Sequence, residues 1–351
     1  MREWEKNIRR VEPYVPGEQP KNTDKIIKLN TNENPYPPAP EVEAAAEAMN
    51  CDRFRLYPDI SAAPLVEAIA DKYGVKPSQI FPGVGSDDVL SMIFLTFFNS
   101  DKPVLFPDIT YSFYSVWADV YKIPYERPAL DENFMIKAED YYKPNGGVVI
   151  ANPNAPTSIY RDLDFIEDIL KHNEDSIVVV DEAYIDFAGR SALELLPRYD
   201  NLIIVRTFSK SRSMAGMRIG FAIASEELIK ALNDVKFSIN SYTLNMPSIE
   251  LGTIAIKADD YYNSVTDKII STRERSKKEL ESMGFKCLAS GTNFLFATHK
   301  SVDAGTIFKE LKEAGIYVRH FNAPRIDNYL RITIGTDEQM DTLIDFLKKY
   351  A

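Results

Sequence analysis

Two stretches decide the fold of this 351-residue chain, residues 176–186 (SIVVVDEAYID) and residues 201–220 (NLIIVRTFSKSRSMAGMRIG). Each contains a short, continuous run of Val, Ile or Leu that ends abruptly in polar or charged residues. Such runs are typical of parallel strands buried on both faces, because these strands need not alternate apolar and polar side chains. In open α/β sheets, ligands bind beyond the carboxyl ends of the strands. The sequence therefore predicts a ligand site where Asp181 ends one strand and Ser209 and Lys210 follow another.

A lysine and an acidic residue at one sheet edge indicate a specific chemistry. In a partly desolvated cleft the amine of Lys210 can be neutral, attack a carbonyl carbon and form a Schiff base. Pyridoxal phosphate chemistry needs such a lysine, and an acid such as Asp181 to keep the pyridine nitrogen protonated. Ser209 and Arg218 can donate hydrogen bonds to the phosphate. The alternative is a set of solvated loop charges and a helix cap, since short motifs often match by chance.

Three segments together carry a family resemblance: DEAY at 181–184, TFSK at 207–210 and GMRIG at 216–220. They resemble the pyridoxal-phosphate aminotransferases of the aspartate-aminotransferase fold and, more narrowly, the histidinol-phosphate aminotransferases. The resemblance runs over most of the chain. It implies an α/β protein of PLP-dependent fold type I, with a mostly parallel central sheet in a large domain and a smaller α+β domain.

The resemblance also implies a reaction. An enzyme of this kind interconverts histidinol phosphate plus 2-oxoglutarate with imidazole-acetol phosphate plus glutamate, in histidine biosynthesis. Lys210 would bind the cofactor and then move a proton as general base and acid, Asp181 would face the ring nitrogen, and Tyr184 would tune the ring oxygen. Two alternatives on the same scaffold stay open, an aromatic-amino-acid aminotransferase and a phosphothreonine decarboxylase.

The N-terminal stretch, to about residue 40, is rich in Pro, Asn and Glu and predicts an extended arm laid over the body. Its NENP segment (32–35) matches a family signature, so the resemblance implies that Asn32 and the upstream Tyr14 contact substrate. The same residues are also ordinary turn formers that can cap the next helix. By resemblance, Tyr57 reaches across a homodimer interface to the partner's cofactor phosphate, although packing is its simpler role.

The segment FPGVGSDD (81–88) runs into an apolar-periodic helix at 89–98. Free N–H groups and the positive end of a helix dipole favour an anion there, and the resemblance implies that Ser86 and Asp87 bind the cofactor phosphate. Ser86 could instead be a helix cap, and the carboxylate at 87 repels a phosphate unless it points away. Tyr111 matches the family's aromatic residue that stacks on the pyridine ring.

The segment NPNAPTS (152–158) departs from the family pattern Asn-Asn-Pro-Thr-Gly. In that pattern the second asparagine donates a hydrogen bond to the 3′ oxygen of the cofactor. Here Ala155 has no side-chain donor, and Ser158 replaces the glycine. Either Asn154 takes the role through a changed backbone, or the oxygen relies on Tyr184 alone. We expect Asn154 to donate; losing one neutral hydrogen bond would cost on the order of 1 kcal/mol.

Two arginines in the C-terminal part, Arg319 and Arg331, are candidate anion ligands. Arg331 leads an apolar strand, and in the superfamily an arginine at this place clamps a substrate carboxylate with two hydrogen bonds. In the histidinol-phosphate branch, the resemblance implies that the pair holds the substrate phosphate. One planar guanidinium can serve both anions in turn. Without the resemblance, both would be ordinary strand-end arginines paired with surface acids.

Composition narrows the possible function classes. Hydrophobic residues make up 45% and charged residues 26% of the chain, as in an ordinary soluble globular protein. The net charge of −11 argues against nucleic acid or an anionic membrane as main partner, and no run approaches a membrane span. Two distant cysteines and three histidines form no metal or disulfide pattern, so a reducing cytoplasm is expected. The expected ligands are small anionic amines and keto acids.

The pattern along the chain predicts three parts. Residues 1–45 are the arm, which packs with the small domain. Residues 46–257 alternate strands and helices, as expected for a large cofactor-binding domain. Residues 258–351 begin with a long charged helix and continue with short strands and two further helices, as expected for a smaller C-terminal domain.

Overall fold

The computed structural model describes residues 2–14, 17–20 and 26–351. These residues contain ten α-helices: α1 Pro40–Glu47, α2 Ala63–Tyr73, α3 Gly85–Phe97, α4 Phe113–Tyr121, α5 Leu163–Lys171, α6 Glu226–Ile239, α7 Met246–Ala255, α8 Asp259–Ser282, α9 Ala304–Glu313 and α10 Asp337–Leu347. They also contain thirteen strands: β1 Ile27–Lys28, β2 Ile80–Val84, β3 Val104–Leu105, β4 Tyr125–Glu126, β5 Gly147–Ala151, β6 Val178–Asp181, β7 Leu202–Thr207, β8 Ile219–Ile223, β9 Phe285–Cys287, β10 Phe294–His299, β11 Ile316–Tyr317, β12 Arg319–His320 and β13 Leu330–Thr333.

Seven strands form the central sheet, in the order β2-β8-β7-β6-β5-β3-β4. Of these seven, β8 alone runs against its neighbours, so the sheet is mostly parallel, as the sequence predicts. Every residue of β5, β6 and β7 is buried, which explains their continuous apolar runs. The carboxyl ends of β6 and β7 lie side by side, with Asp181 opposite Val205.

Helices cover both faces of this sheet. Alternate residues of a strand enter different apolar cores; Val178 and Val180 enter one core, and Val179 enters the other. The first core is completed by α2, α5 and α7, and the second by α3, α4 and α6. The central sheet is therefore a rigid platform that holds the loops at its carboxyl edge.

A second, antiparallel sheet has the strand order β12-β13-β10-β9 and packs with α8, α9 and α10. The N-terminal arm joins this part, because β1 pairs in parallel with β11, and Thr333 N donates to Leu29 O at 3.0 Å. These contacts bring residues 29–34 of the arm to the cleft between the two sheets. None of the helices described above is long and apolar enough to cross a membrane.

The helix after the glycine-rich segment begins earlier than the sequence predicts. The sequence places its start at residue 89, whereas α3 begins at Gly85. The carboxylate of Asp88 accepts a hydrogen bond from Val84 N at 2.9 Å, which stabilises this early start. The helix N-terminus therefore lies directly at the end of β2, facing the cleft.

Candidate active site

A cleft of about 240 Å³ opens at the carboxyl ends of β6 and β7. Nine of the residues proposed from the sequence line it: Ser86, Asp87, Tyr111, Asp181, Tyr184, Ser209, Lys210, Arg218 and Arg331. Five others do not line it: Tyr14, Asn32, Tyr57, Asn154 and Arg319. The cleft also contains Thr31 and Glu33 from the arm, which the sequence analysis did not select.

Lys210 lies three residues beyond the end of β7 and lines the cleft. Its Nζ is 5.6 Å from the centre of the Tyr184 ring, and its backbone carbonyl accepts a hydrogen bond from Asn34 Nδ2 at 3.0 Å. The carboxylate of Glu33 is nearby. Burial alone would raise the pKa of Glu33, but hydrogen bonds from Lys28 and Thr31, with the charge of Lys210, hold that pKa below its usual value. Glu33 is therefore an ionised carboxylate, paired with Lys28 Nζ at 2.6 Å and influenced by the charge of Lys210.

Asp181 is the last residue of β6 and is only 6% exposed. The Tyr114 hydroxyl donates to its Oδ2 at 2.7 Å, and Ala183 N donates to its Oδ1 at 3.2 Å. Burial raises the pKa of Asp181 to about 6, against the opposing effect of these hydrogen bonds. A cation beside this carboxylate would favour its ionised form. The sequence gives no sign of this contact, since nothing in it indicates where the Tyr114 hydroxyl points.

Hydrogen-bond donors converge where α3 begins. Gly85 has a φ of +82°, and a Cβ there would lie 2.6 Å from Arg218 Nη2. A Cβ on Gly220 would lie 2.3 Å from Ser86 N, so β8 also approaches the helix start closely. Ser209 Oγ accepts a hydrogen bond from the preceding Thr207 hydroxyl at 2.9 Å, which leaves the serine hydrogen free to donate. A helix N-terminus, a hydroxyl and a guanidinium together suit an anion.

The two carboxylates after Ser86, those of Asp87 and Asp88, both accept hydrogen bonds from protein groups. Asp88 accepts from the backbone N–H of Val84, as described above. Asp87 accepts from the Tyr111 hydroxyl at 2.7 Å and from Arg218 Nη2 at 3.0 Å. The negative charge of Asp87 is therefore paired with a cation, and its contact with Tyr111 fixes that ring in the wall of the cleft.

The structure does not bring Asn154 to the cleft, contrary to the expectation. Its Nδ2 donates to a backbone carbonyl and to Thr157 Oγ1, both at 2.9 Å, and its Oδ1 accepts from Thr110 Oγ1 at 2.7 Å. One amide hydrogen thus goes to Ile109 O in another segment and one to Thr157 within the loop, while Ala155 lines the cleft. Ser158 has a φ of +67°, the left-handed conformation that favours the glycine of the family pattern.

Asn32 is placed behind the cleft rather than in it. The residue is 2% exposed, and its Nδ2 donates to the hydroxyl of Tyr184 at 2.8 Å. Its Oδ1 accepts from Thr333 Oγ1 at 3.0 Å. Asn32 therefore contacts Tyr184, and the direct substrate contact expected for it stays a prediction.

The other two tyrosines also lie outside the cleft. Tyr14 stacks on Phe113 with 4.2 Å between ring centres, and Phe113 in turn contacts Tyr111. Tyr57 is 80% exposed and stacks on Tyr242 with 4.6 Å between ring centres. Tyr14 is therefore near the aromatic wall of the cleft, whereas Tyr57 faces outward.

Arg331 brings an incompletely satisfied guanidinium into the cleft. Its Nη2 donates to Asn30 O at 2.9 Å, but its buried Nε has no hydrogen-bond partner in the described part of the chain. Burial lowers the pKa of Arg331, and the neighbouring Arg319, its pairing partner on β12, acts in the same direction. Buried donors without partners cost free energy, so this group suits an anionic ligand.

Comparison with known proteins agrees with this geometry. The family profile of class I and II aminotransferases matches residues 24–347. A histidinol-phosphate aminotransferase of Lactococcus lactis subsp. cremoris (strain MG1363) is 51% identical over 347 residues, covering 99% of this chain and 97% of that protein. One from Acinetobacter baumannii (strain SDF) is 49% identical over 352 residues, with 99% and 97% covered.

A solved structure gives the same result. Histidinol-phosphate aminotransferase from Sinorhizobium meliloti, in complex with pyridoxal-5′-phosphate, superimposes with a TM-score of 0.85 at 25% identity, covering 93% of this chain and 91% of that chain. The family profile and the near-full-length relatives lead to one conclusion. The chain belongs to the class I and II aminotransferases and, within them, to the histidinol-phosphate aminotransferase family.

Proposed function

We propose that this chain interconverts histidinol phosphate plus 2-oxoglutarate with imidazole-acetol phosphate plus glutamate, using pyridoxal 5′-phosphate. The observation that carries the proposal is the cleft, in which Lys210 lies with the buried carboxylate of Asp181 and the open donors of Arg331. The names of the relatives at 51% and 49% identity favour this reaction over aromatic-amino-acid transamination and phosphothreonine decarboxylation.

The residues of the cleft fit this cofactor. Gly85 and Gly220 leave no room for side chains at the start of α3, where Ser209 and Arg218 add donors for a phosphate. Asp181 would hold the pyridine nitrogen, and Tyr111 would lie against the ring. When bound, the cofactor withdraws electrons from the substrate carbon. The described residues contain no group of three or more side chains arranged to hold a metal ion.

Lys210 is the proposed catalytic base and acid. Its amine would bind the cofactor at rest and, once released, carry a proton between the substrate carbon and the cofactor. The carboxylate of Glu33, whose pKa is held below its usual value, lines the same cleft as Lys210. Asn34 holds the backbone of Lys210 through its hydrogen bond to the carbonyl, so the side chain of Lys210 would move while its backbone stays in place.

Asp181 is proposed to keep the ring nitrogen protonated. Because burial disfavours the lone carboxylate, a protonated nitrogen beside it stabilises both charges. The hydrogen bonds from Tyr114 and Ala183 orient the carboxylate before the cofactor arrives. Tyr184 completes the set as a donor to the ring oxygen.

Arg331, assisted by Arg319, is proposed to hold the anionic end of each substrate. Histidinol phosphate presents a phosphate, and glutamate and 2-oxoglutarate present carboxylates, so the same guanidinium can bind them in turn. Tyr14, stacked on Phe113 beside Tyr111, would narrow the entrance over the bound substrate.

We infer that two copies form a homodimer with shared active sites. Tyr57 and Tyr242 join two segments that expose large apolar side chains: Phe54, Leu56, Tyr57, Ile60, Phe237, Ile239 and Tyr242. Exposed apolar patches of this kind mark interaction surfaces. In the dimer Tyr57 would reach the partner's cofactor phosphate.

The division of the chain into an arm (1–45), a large domain (46–257) and a small domain (258–351) is part of the same proposal. Pairing of β1 with β11 supports an arm that packs on the small domain. Free thiols at Cys51 and Cys287, together with soluble substrates, support a cytoplasmic location.

The reaction is tested with purified protein reconstituted with pyridoxal 5′-phosphate. Formation of glutamate from 2-oxoglutarate is measured with histidinol phosphate, phenylalanine or phosphothreonine as donor, and release of carbon dioxide is followed in parallel. Histidinol phosphate is expected to be used fastest, and Lys210→Ala is expected to be inactive in every assay. Faster use of phenylalanine, or carbon dioxide release from phosphothreonine, would contradict the proposal.

A further inference from the structure

Asn32 is held in a costly backbone conformation. Its φ is +56°, in the left-handed region that residues with a side chain seldom adopt. Its N–H donates to Thr333 Oγ1 and its carbonyl accepts from Asn293 Nδ2, both at 3.0 Å. Such a conformation persists only where the surroundings over-determine it, and it occurs often at functional sites.

The same contacts fix the direction of the Asn32 amide. Thr333 Oγ1 accepts from the N–H of Asn32, so its own hydrogen is available for Asn32 Oδ1. With Oδ1 accepting, the group that faces Tyr184 is Nδ2, 2.8 Å from the phenol oxygen. An amide N–H only donates, so this oxygen must accept, and the phenol hydrogen points elsewhere. Tyr184 lines the cleft beside Lys210, so the cleft is where that hydrogen can find an acceptor.

Segment 152–158, where the family pattern has its donor to the ring oxygen, supplies no side-chain donor to the described cleft. Ala155 lines the cleft without a polar side-chain atom, and the amide hydrogens of Asn154 are donated to Ile109 O and Thr157 Oγ1. A ligand oxygen placed near Tyr184 would therefore receive no hydrogen bond from that segment and would depend more strongly on the direction of the Tyr184 hydroxyl. A freely rotating phenol would supply that hydrogen only part of the time.

We propose that Asn32 is a positioning residue that holds the Tyr184 hydroxyl as a hydrogen-bond donor to the ring oxygen of the cofactor. It thereby compensates, through Tyr184, for the donor that Ala155 lacks. This inference rests on the proposed function, because it requires pyridoxal 5′-phosphate in the cleft. It assigns Asn32 no contact with substrate.

Two substitutions separate the amide from the backbone conformation. Asn32→Gly removes the amide and tolerates the positive φ. Asn32→Asp keeps the shape, but a carboxylate only accepts, so the phenol hydrogen turns toward residue 32 and away from the cleft. The readout is the pH at which the visible absorption of the bound cofactor changes. A hydrogen bond donated to the ring oxygen of the cofactor stabilises negative charge on that oxygen. The oxygen then holds a neighbouring proton less tightly, so losing the donor raises the pH of the absorption change.

We expect the midpoint to rise by about half to one pH unit in Asn32→Gly and by more than about one unit in Asn32→Asp. In a Tyr184→Phe background, Asn32→Gly should give no further shift, because its effect passes through the phenol. Adding Ala155→Asn to Asn32→Gly should move the midpoint back toward that of the unmodified protein.

The outcomes are distinguishable. If the cofactor binds and the midpoint is unchanged in Asn32→Gly, or shifts equally with and without the Tyr184 hydroxyl, the positioning role is wrong. If Asn32→Asp does not fold, as judged by thermal unfolding, the test is decided by Asn32→Gly measured with and without Tyr184→Phe. If the unmodified protein binds no pyridoxal 5′-phosphate, the proposed function fails first.

Discussion

Asp181 and Arg331, which mark what we call the Asp181 end and the Arg331 end of the cleft, differ in how completely they are hydrogen-bonded. Asp181 is 6% exposed, and both of its carboxylate oxygens already accept hydrogen bonds. Arg331 uses one donor, while its buried Nε has no partner within the described residues. The Asp181 carboxylate is therefore already oriented and suits a cation that stays bound. The Arg331 guanidinium keeps donors open for an anion. We take this difference to separate a cofactor that stays from substrates that exchange.

The largest effect is expected from removing the charge at the Asp181 end. Asp181→Asn keeps the shape and the hydrogen bond from Tyr114 but cannot hold a ring nitrogen protonated. Turnover of histidinol phosphate should fall by about a thousandfold, in the range found when a single electrostatic group is removed from an active site. Tyr114→Phe is the control, because it keeps the charge and should lose no more than about tenfold. Equal losses in the two variants would attribute the effect to orientation instead of charge.

Without cofactor, the same Asp181→Asn substitution should stabilise the protein. The pKa of Asp181 is raised from 3.8 to about 6 in the fold, so its contribution to stability is full below pH 3.8 and is lost as the pH rises through 6. Asparagine has no such dependence. Denaturant unfolding of the cofactor-free proteins should therefore show a gain of up to about 3 kcal/mol at pH 8 and little gain near pH 4. A gain of the same size at both pH values would contradict the assignment.

At the other end, Arg331→Ala should weaken both substrate couples without releasing the cofactor. Loss of a bidentate, charge-assisted hydrogen bond is expected to lower kcat/KM about a hundredfold for histidinol phosphate and for glutamate. The visible absorption of the bound cofactor should stay the same. Arg319→Ala, which changes an arginine that does not line the cleft, should have a smaller effect. A loss confined to one couple would show that the two anions do not share this arginine.

The smallest of these effects is expected at the surface. Tyr57→Phe removes one hydroxyl from the proposed dimer face and should weaken cofactor affinity about tenfold, equivalent to one lost hydrogen bond. The dimer itself should persist in gel filtration or ultracentrifugation, because the apolar ring remains. An unchanged cofactor affinity would argue against a site completed by the partner subunit.

The sequence predicted the scaffold well because the scaffold follows from local patterns. Continuous apolar runs gave the buried strands β6 and β7, and the residues after them, Asp181 and Lys210, reached the same cleft. These outcomes depend on burial and on the parallel geometry of the sheet, which periodicity reports directly.

Side-chain direction within loops could not be predicted in the same way. Asn154 was expected to face the cofactor, but its amide donates to Ile109 O and Thr157 Oγ1, and Ala155 lines the cleft. For Asn32 a substrate contact was expected, and its contact with Tyr184 was not foreseen. The partners of both asparagines come from segments distant in sequence or from the fold of the loop itself, which no local pattern encodes.

The most direct test of the account asks which amine holds the cofactor. The reconstituted protein is reduced with borohydride, digested, and its peptides are analysed by mass spectrometry. We predict that the mass of the reduced cofactor appears on the peptide containing Lys210 and disappears in Lys210→Ala. Attachment to another lysine, such as Lys28 beside Glu33, or no attachment at all, would contradict the account.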